Sequence, residues 1–172
     1  MTDQPVEHAP TEPSVYVRAA NGDHDAQDDI AQLIVERGVS GELPLDAAIS
    51  FALIWAHMAA TSGKARHLLG LAGLLMAQIS QATDEAVGAG DYDDDFATAL
   101  AIVDAVADAG HSRAEVIAVA LASRVSPVVI AKARAIKPQF VVEPLTDDEK
   151  TKDLGGMEGV IEALRVDAIG AY

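Results

Sequence analysis

The chain has 172 residues, enough for one compact domain or a short array of helical pairs, and it carries a formal charge of -15 from 27 acids and 12 bases. That balance disfavours nonspecific attraction to nucleic acid or anionic lipid. With no cysteine, disulfides, thiolate catalysis and Cys-based zinc sites are excluded together, which suits the cytoplasm. Half of the residues are apolar but only 4% are aromatic, so the core must be built from Ala, Leu, Ile and Val. Alanine recurs through the middle of the chain and is the best helix former, so the composition predicts packed helices over sheets.

Residues 1–14 read as a flexible arm held open by Pro5, Pro10 and Pro13, with neither the apolar run nor the basic start of a secretory signal. Order is expected to begin between Val15 and His24. The stretch "DHDAQDDIAQLIVERG" predicts a helix: acids crowd its start, Ile30, Leu33 and Ile34 form a stripe, and Gly38 is placed to close it. A loop, "VSGELPLD", leads to a second helix from Pro44 or Asp46 to Thr61. Its broad apolar face holds Ala48, Phe51, Ala52, Trp55, Ala56, Ala59 and Ala60, and Gly63 ends it. A third helix is expected from Lys64 toward Val87, with Leu68, Leu71, Leu75 and Ile79 on one side and Gly70 and Gly73 marking close contact with a neighbour. The two longest charge-free runs are Ala47–Gly63 and Leu68–Thr83. Both are shorter than the roughly 20 apolar residues a membrane helix requires.

After "GAGDYDDD" a fourth helix is predicted from Asp94 to Ala109, ended by Gly110. Ser112 with Glu115 reads as a capping box opening a short helix to Ala122. Ser126 followed by Pro127 reads as a cap and a first-turn proline, opening a helix to Ile136. From Pro138 the chain turns irregular, with Phe140, Val141 and Val142 as an anchor onto the body and Thr146 with Glu149 capping a single turn. Residues 157–169 have the pattern of a closing amphipathic helix. The division is therefore an arm over 1–14, a helical domain over 15–137, and an irregular segment with its closing helix over 138–172.

Trp55, Ala59-Ala60 and Gly63, preceded by Ala26, Gly38-Val39 and Asp46, form a run that resembles a Sel1-like repeat, a relative of the tetratricopeptide repeat. A fainter second copy has Gly88-Ala89-Gly90 in its loop and Ala107 and Gly110 later, with Ile102 in the aromatic's place. The resemblance covers about 24–110. It implies an all-α fold of antiparallel helical pairs, with a divergent helical region after it. It also implies a non-enzymatic scaffold or adaptor that presents a groove to another protein or peptide; a homo-oligomer is a further expectation, from the basic segment meeting the acidic face of residues 81–110 in a second copy.

Charge is unevenly spread. Residues 81–110 hold 8 acids and no base, while residues 111–140 hold 5 bases and 1 acid. The basic positions Arg113, Arg124, Lys132, Arg134 and Lys137 are therefore the expected partner-binding residues. Residues 112–137 also have a helix-turn-helix outline, and a DNA-binding regulator is the alternative function. Against it, the reading helix would start "PVVI", without a polar side chain for a base edge.

Catalytic and metal residues are not evident. His57 and His67 lie ten apart across a turn, where two imidazoles could face each other, but no carboxylate occurs from Ala47 through Thr83 to complete a metal site. "DYDDDF" fails the calcium-loop spacing, because Phe96 stands where glycine is needed. No phosphate loop or dinucleotide fingerprint exists, and no cofactor is expected.

Overall fold

A computed structural model describes residues 14–82 and 84–151. These residues form eight α-helices and no strand: α1 (Val15–Ala20), α2 (His24–Val39), α3 (Leu45–Ala60), α4 (Ala65–Ser80), α5 (Asp84–Gly88), α6 (Asp93–Asp108), α7 (Ser112–Ala122) and α8 (Pro127–Ile136), with a single 3-10 turn at Lys137–Gln139. The all-α expectation is met. No helix among the described residues is long and apolar enough to cross a membrane. The expected arm, apart from Ser14, and the closing helix at 157–169 lie outside the described residues.

Two helices organise the bundle. α3 lies between α2 and α4, and α6 gathers α4, α7 and α8 around itself. The second half is thus a cluster about one helix. The main core runs through both halves, from Leu68, Leu69, Leu75 and Met76 of α4 to Phe96, Ile102, Val103 and Val106 of α6 and Ile117 and Leu121 of α7. Alanines fill the helix crossings: Ala48, Ala52, Ala56 and Ala59 on α3 are all buried. A satellite core of Ala19, Ala26 and Ile30 lies under α1, and half-buried Trp55 touches both cores.

The helix starts follow local chemistry. The Asp23 carboxylate accepts the Ala26 N–H at 3.0 Å to open α2, and Ser126 Oγ accepts the Val129 N–H at 3.3 Å to open α8 with Pro127 in its first turn. Thr146 and Glu149 form the expected box, each side chain taking up the other's backbone N–H.

Other expectations need correction. The helix expected from Lys64 to Val87 is two helices, because the chain leaves α4 at Gln81 and restarts at Asp84. Gly38 does not close α2. It is buried inside the helix, where an added Cβ would stand 2.6 Å from the Ala48 Cβ, so the glycine serves the close α2–α3 contact. The left-handed turn after α2 falls to Gly41. Ser112 is not the cap of α7: His111 is, its Nδ1 accepting the Ala114 N–H at 3.2 Å. Ser112 instead gives both its N–H and its hydroxyl to the carbonyl of Lys150. Phe51 does not join the buried face of α3 but stands 56% exposed.

The segment after α8 crosses back over the bundle end. Phe140 and Val142 pack on the core, while Val141 points outward. The Glu143 N–H donates to the Gly63 carbonyl at 2.8 Å, and Lys150 ends at Ser112. This strap covers the α3–α4 turn and then the α6–α7 turn.

Candidate functional site

Three features of the described residues merit chemical scrutiny: a polar cluster between α2 and α4, the basic helix α8, and the outward face of α3.

The polar cluster centres on His67, fully buried at the start of α4. Its Nδ1 is 2.8 Å from Ser62 Oγ, which also accepts the Lys64 N–H. Its Nε2 accepts from Arg66 Nε at 3.0 Å and lies 3.1 Å from Asp25 Oδ1. Asp25 is held in turn by Lys64 at 2.8 Å and Arg66 at 3.0 Å. Asp28, buried beside them, accepts a hydrogen bond from Gln32 at 2.9 Å. His67 and His57 do not face each other: His57 is exposed on α3 while His67 is buried. The carboxylates that the sequence lacks around His67 arrive from α2.

Serine, histidine and aspartate together invite a nucleophile reading. Arg66 Nε and the Asp25 carboxylate meet at Nε2 with opposite demands: Arg66 donates to it, which puts the ring proton on Nδ1 toward Ser62, whereas the carboxylate can only accept and calls for the proton on Nε2. With the proton on Nδ1 the ring cannot also take the hydroxyl proton, as a general base must. In either tautomer the ion pairs from Asp25 tie α2 to the start of α4. No group of three or more His, Asp or Glu side chains among the described residues is arranged to hold a metal.

Burial lowers the His67 pKa, with the Arg66 and Lys64 charges acting the same way, and outweighs Asp28 and Asp25. Burial raises Asp28, while the Lys64 hydrogen bond lowers Asp25. A histidine with a depressed folded pKa is fully stabilising above its unfolded value of about 6.5, and that stability is lost as pH falls below it. Asp28 acts oppositely, regaining stability as its carboxyl takes a proton at lower pH. The melting temperature is therefore expected to fall as pH drops through about 6.5 toward 5, and His67→Gln should flatten that slope. Thermal melts across pH 5–8 check this; a melting temperature that rises with acid in the wild type alone would mean that the ring is charged in the fold.

The five expected partner-binding residues divide. Lys132 reaches Asp94 at 2.9 Å and Asp93 at 3.9 Å, and Lys137 bridges Asp104 and Asp108. These two lysines thus pair with acids of α6 within the chain. Arg113 and Arg124 lie on the surface of α7 and just beyond its end. Arg134 makes no ion pair among the described residues. It borders a groove of about 470 Å³ between α6, α7 and α8, together with Leu100, Ala118, Val119 and Ile130. For the helix-turn-helix alternative, α7 and α8 both pack on α6, and Val128 in the first turn of α8 is exposed. Phosphates would have to displace α6 carboxylates from Lys132 and Lys137.

The third feature is one that the sequence reading missed. Phe51, Ile54 and Met58 are 56%, 57% and 41% exposed on α3. Their i, i+3, i+7 spacing puts them in one stripe, with Trp55 at its edge. The signal was available: α3 is apolar nearly all round, and such a helix is either enclosed or partnered. Among the described residues, α2 and α4 enclose one side of α3.

Among the described residues, fold and surface together define an all-α bundle with an exposed apolar helix face. No family model matches the chain, and neither a curated protein nor a solved structure is significantly similar to it.

Proposed function

We propose that the chain is a non-enzymatic, helical protein-interaction domain, and that a partner's helix lies along the outward face of α3. One observation carries this reading. Three large apolar side chains are aligned and exposed on a helix that has no Asp, Glu, Lys or Arg from Ala47 to its end. Contiguous exposed apolar surface on a folded protein marks an interaction site, and helix-on-helix docking uses anchors at this spacing. The Sel1-like scaffold reading draws support from α3 and the turn after it: Ala59 is buried, and Gly63 takes a left-handed φ of 78° between α3 and α4. The basic residues set out above then act mainly within the bundle, leaving Arg134 to the groove beside α7.

The test is site-directed photo-crosslinking in native lysate. A photoreactive residue at Ser50, beside the stripe, should capture a discrete partner. The same residue at Gln32 on α2 should not, and Ile54→Asp should abolish capture without changing the helical circular dichroism. An Ile54→Asp protein that crosslinks as well as the wild type would remove α3 as the contact face.

A further inference from the structure

α7 and α8 both pack on α6 but far less on each other, so a groove of about 470 Å³ runs between them with α6 beneath. α7 lines it with Glu115, Ala118, Val119 and Ala122, the i, i+3, i+4, i+7 face of a helix. Leu100 of α6 and Ile130 and Arg134 of α8 complete the lining. Val119 is 68% exposed there, and Arg134 makes no ion pair among the described residues.

The strap delivers the chain to one end of this groove. The Lys150 carbonyl accepts from the Ser112 N–H and hydroxyl, one turn before Glu115 on α7, and the Lys150 methylenes lie by Gly110. Residues 152–172, outside the described residues, therefore follow from a point beside the groove's mouth. The five residues "KDLGG" can span up to roughly 17 Å, enough to reach it. After them, Met157, Val160, Ile161, Leu164 and Ala168 recur at i, i+3, i+4, i+7 and i+11, which is one helical stripe. On a helix that stripe is about 17 Å long, against about 16 Å for the 11 residues of α7.

We propose that the groove between α7 and α8 is the seat of the chain's own segment 157–169, docked there as a helix with its apolar stripe on Leu100, Ala118, Val119 and Ile130. Entry beside the start of α7 makes the docked helix run parallel to α7. Glu158 and Glu162, four apart on one flank of the stripe, offer the carboxylate that Arg134 lacks. The exposed stripe of α3 is the rival seat, but α4 and α6 stand between α3 and α7 in the packing order, while the groove begins where the strap arrives. The inference does not depend on the α3 docking reading: with the segment seated beside α7, the α3 stripe stays free for a partner.

The chain has no cysteine, so introduced pairs report without background. Two variants of the full chain, Val119→Cys/Leu164→Cys and Phe51→Cys/Leu164→Cys, are oxidised at low concentration and resolved by non-reducing electrophoresis. The Val119 pair is expected to close within the monomer about tenfold or more faster than the Phe51 pair. Melting temperature gives a second readout. On an uncovered surface Val119→Lys should hold or raise it, because the lysine stands four residues after Glu115. Under a docked helix it should lower it by about 3 °C or more, as should Leu164→Ser. The double variant Val119→Lys/Leu164→Ser should then lose less than the sum, because both changes break one contact. Faster closure of the Phe51 pair would put the segment on α3 and overturn the groove seat. Disulfides formed only between molecules would give the groove to a second copy and overturn it as well. So would a Val119 pair that does not close, an unchanged melt for Val119→Lys, or losses that simply add.

Discussion

Gly63→Ala is expected to destabilise the protein by about 2–4 kcal/mol, roughly twice the cost of Gly110→Ala. Both glycines have positive φ, 78° and 99°, so alanine at either pays for a left-handed backbone, about 1–2 kcal/mol. They differ in what a new Cβ would meet. At Gly110 it meets only the methylenes of Lys150 at 3.8 Å, which can swing away. At Gly63 it would stand 2.8 Å from the carbonyl oxygen of Val141, a backbone atom of the strap. The strap is tied there by the Glu143 N–H, so it cannot move without losing a hydrogen bond. Denaturant unfolding of the two variants, followed by circular dichroism, makes the comparison. Equal losses would mean that the strap yields freely at Gly63.

Leu69→Ala is expected to cost roughly 2–5 kcal/mol, a large share of the 5–15 kcal/mol typical of a domain. Leu69 is fully buried on α4, the helix that stands between α3 and α6. The neighbours are helices fixed on both sides, so the cavity left by the lost methyls has little chance to collapse. Phe51→Ala removes a larger side chain but should change stability by only about 0.5 kcal/mol, because that ring is mostly in water. The pair separates apolar residues that hold the fold from those left for a partner. A thermal shift for Phe51→Ala as large as that for Leu69→Ala would show that the α3 stripe is already covered within the molecule.

Most helix limits were legible because caps are local. The Ser126-Pro127 pair and the Thr146–Glu149 box both do what their spacing predicts. Features set by contacts between distant segments were not. The six-residue α1 is too short to show a period, and it is secured by the buried Gln27 side chain, which donates to the Ala19 carbonyl. The break after α4 passes through Gln81 and Ala82, which carry no glycine or proline to announce it. Gly38 reads equally well as a helix end or as a close crossing, and only the Ala48 side chain decides. His67 looks isolated along the chain because Asp25 and Asp28 reach it from another helix. The stripe on α3 was visible as apolar spacing, but which side of an all-round apolar helix stays bare depends on where α2 and α4 pack.

The strap gives the molecule an order of assembly. Turns of a few residues join α2 to α3 and α3 to α4, and these neighbours pack against each other, so closing them demands little chain entropy. The bonds from Glu143 to Gly63 and from Ser112 to Lys150 join positions far apart in sequence, and their sites exist only once both turns are in place. During synthesis from the N-terminus, the eight helices described are complete before the strap emerges. Among the described residues the strap is then the last piece to settle and, with few buried side chains of its own, the first to detach.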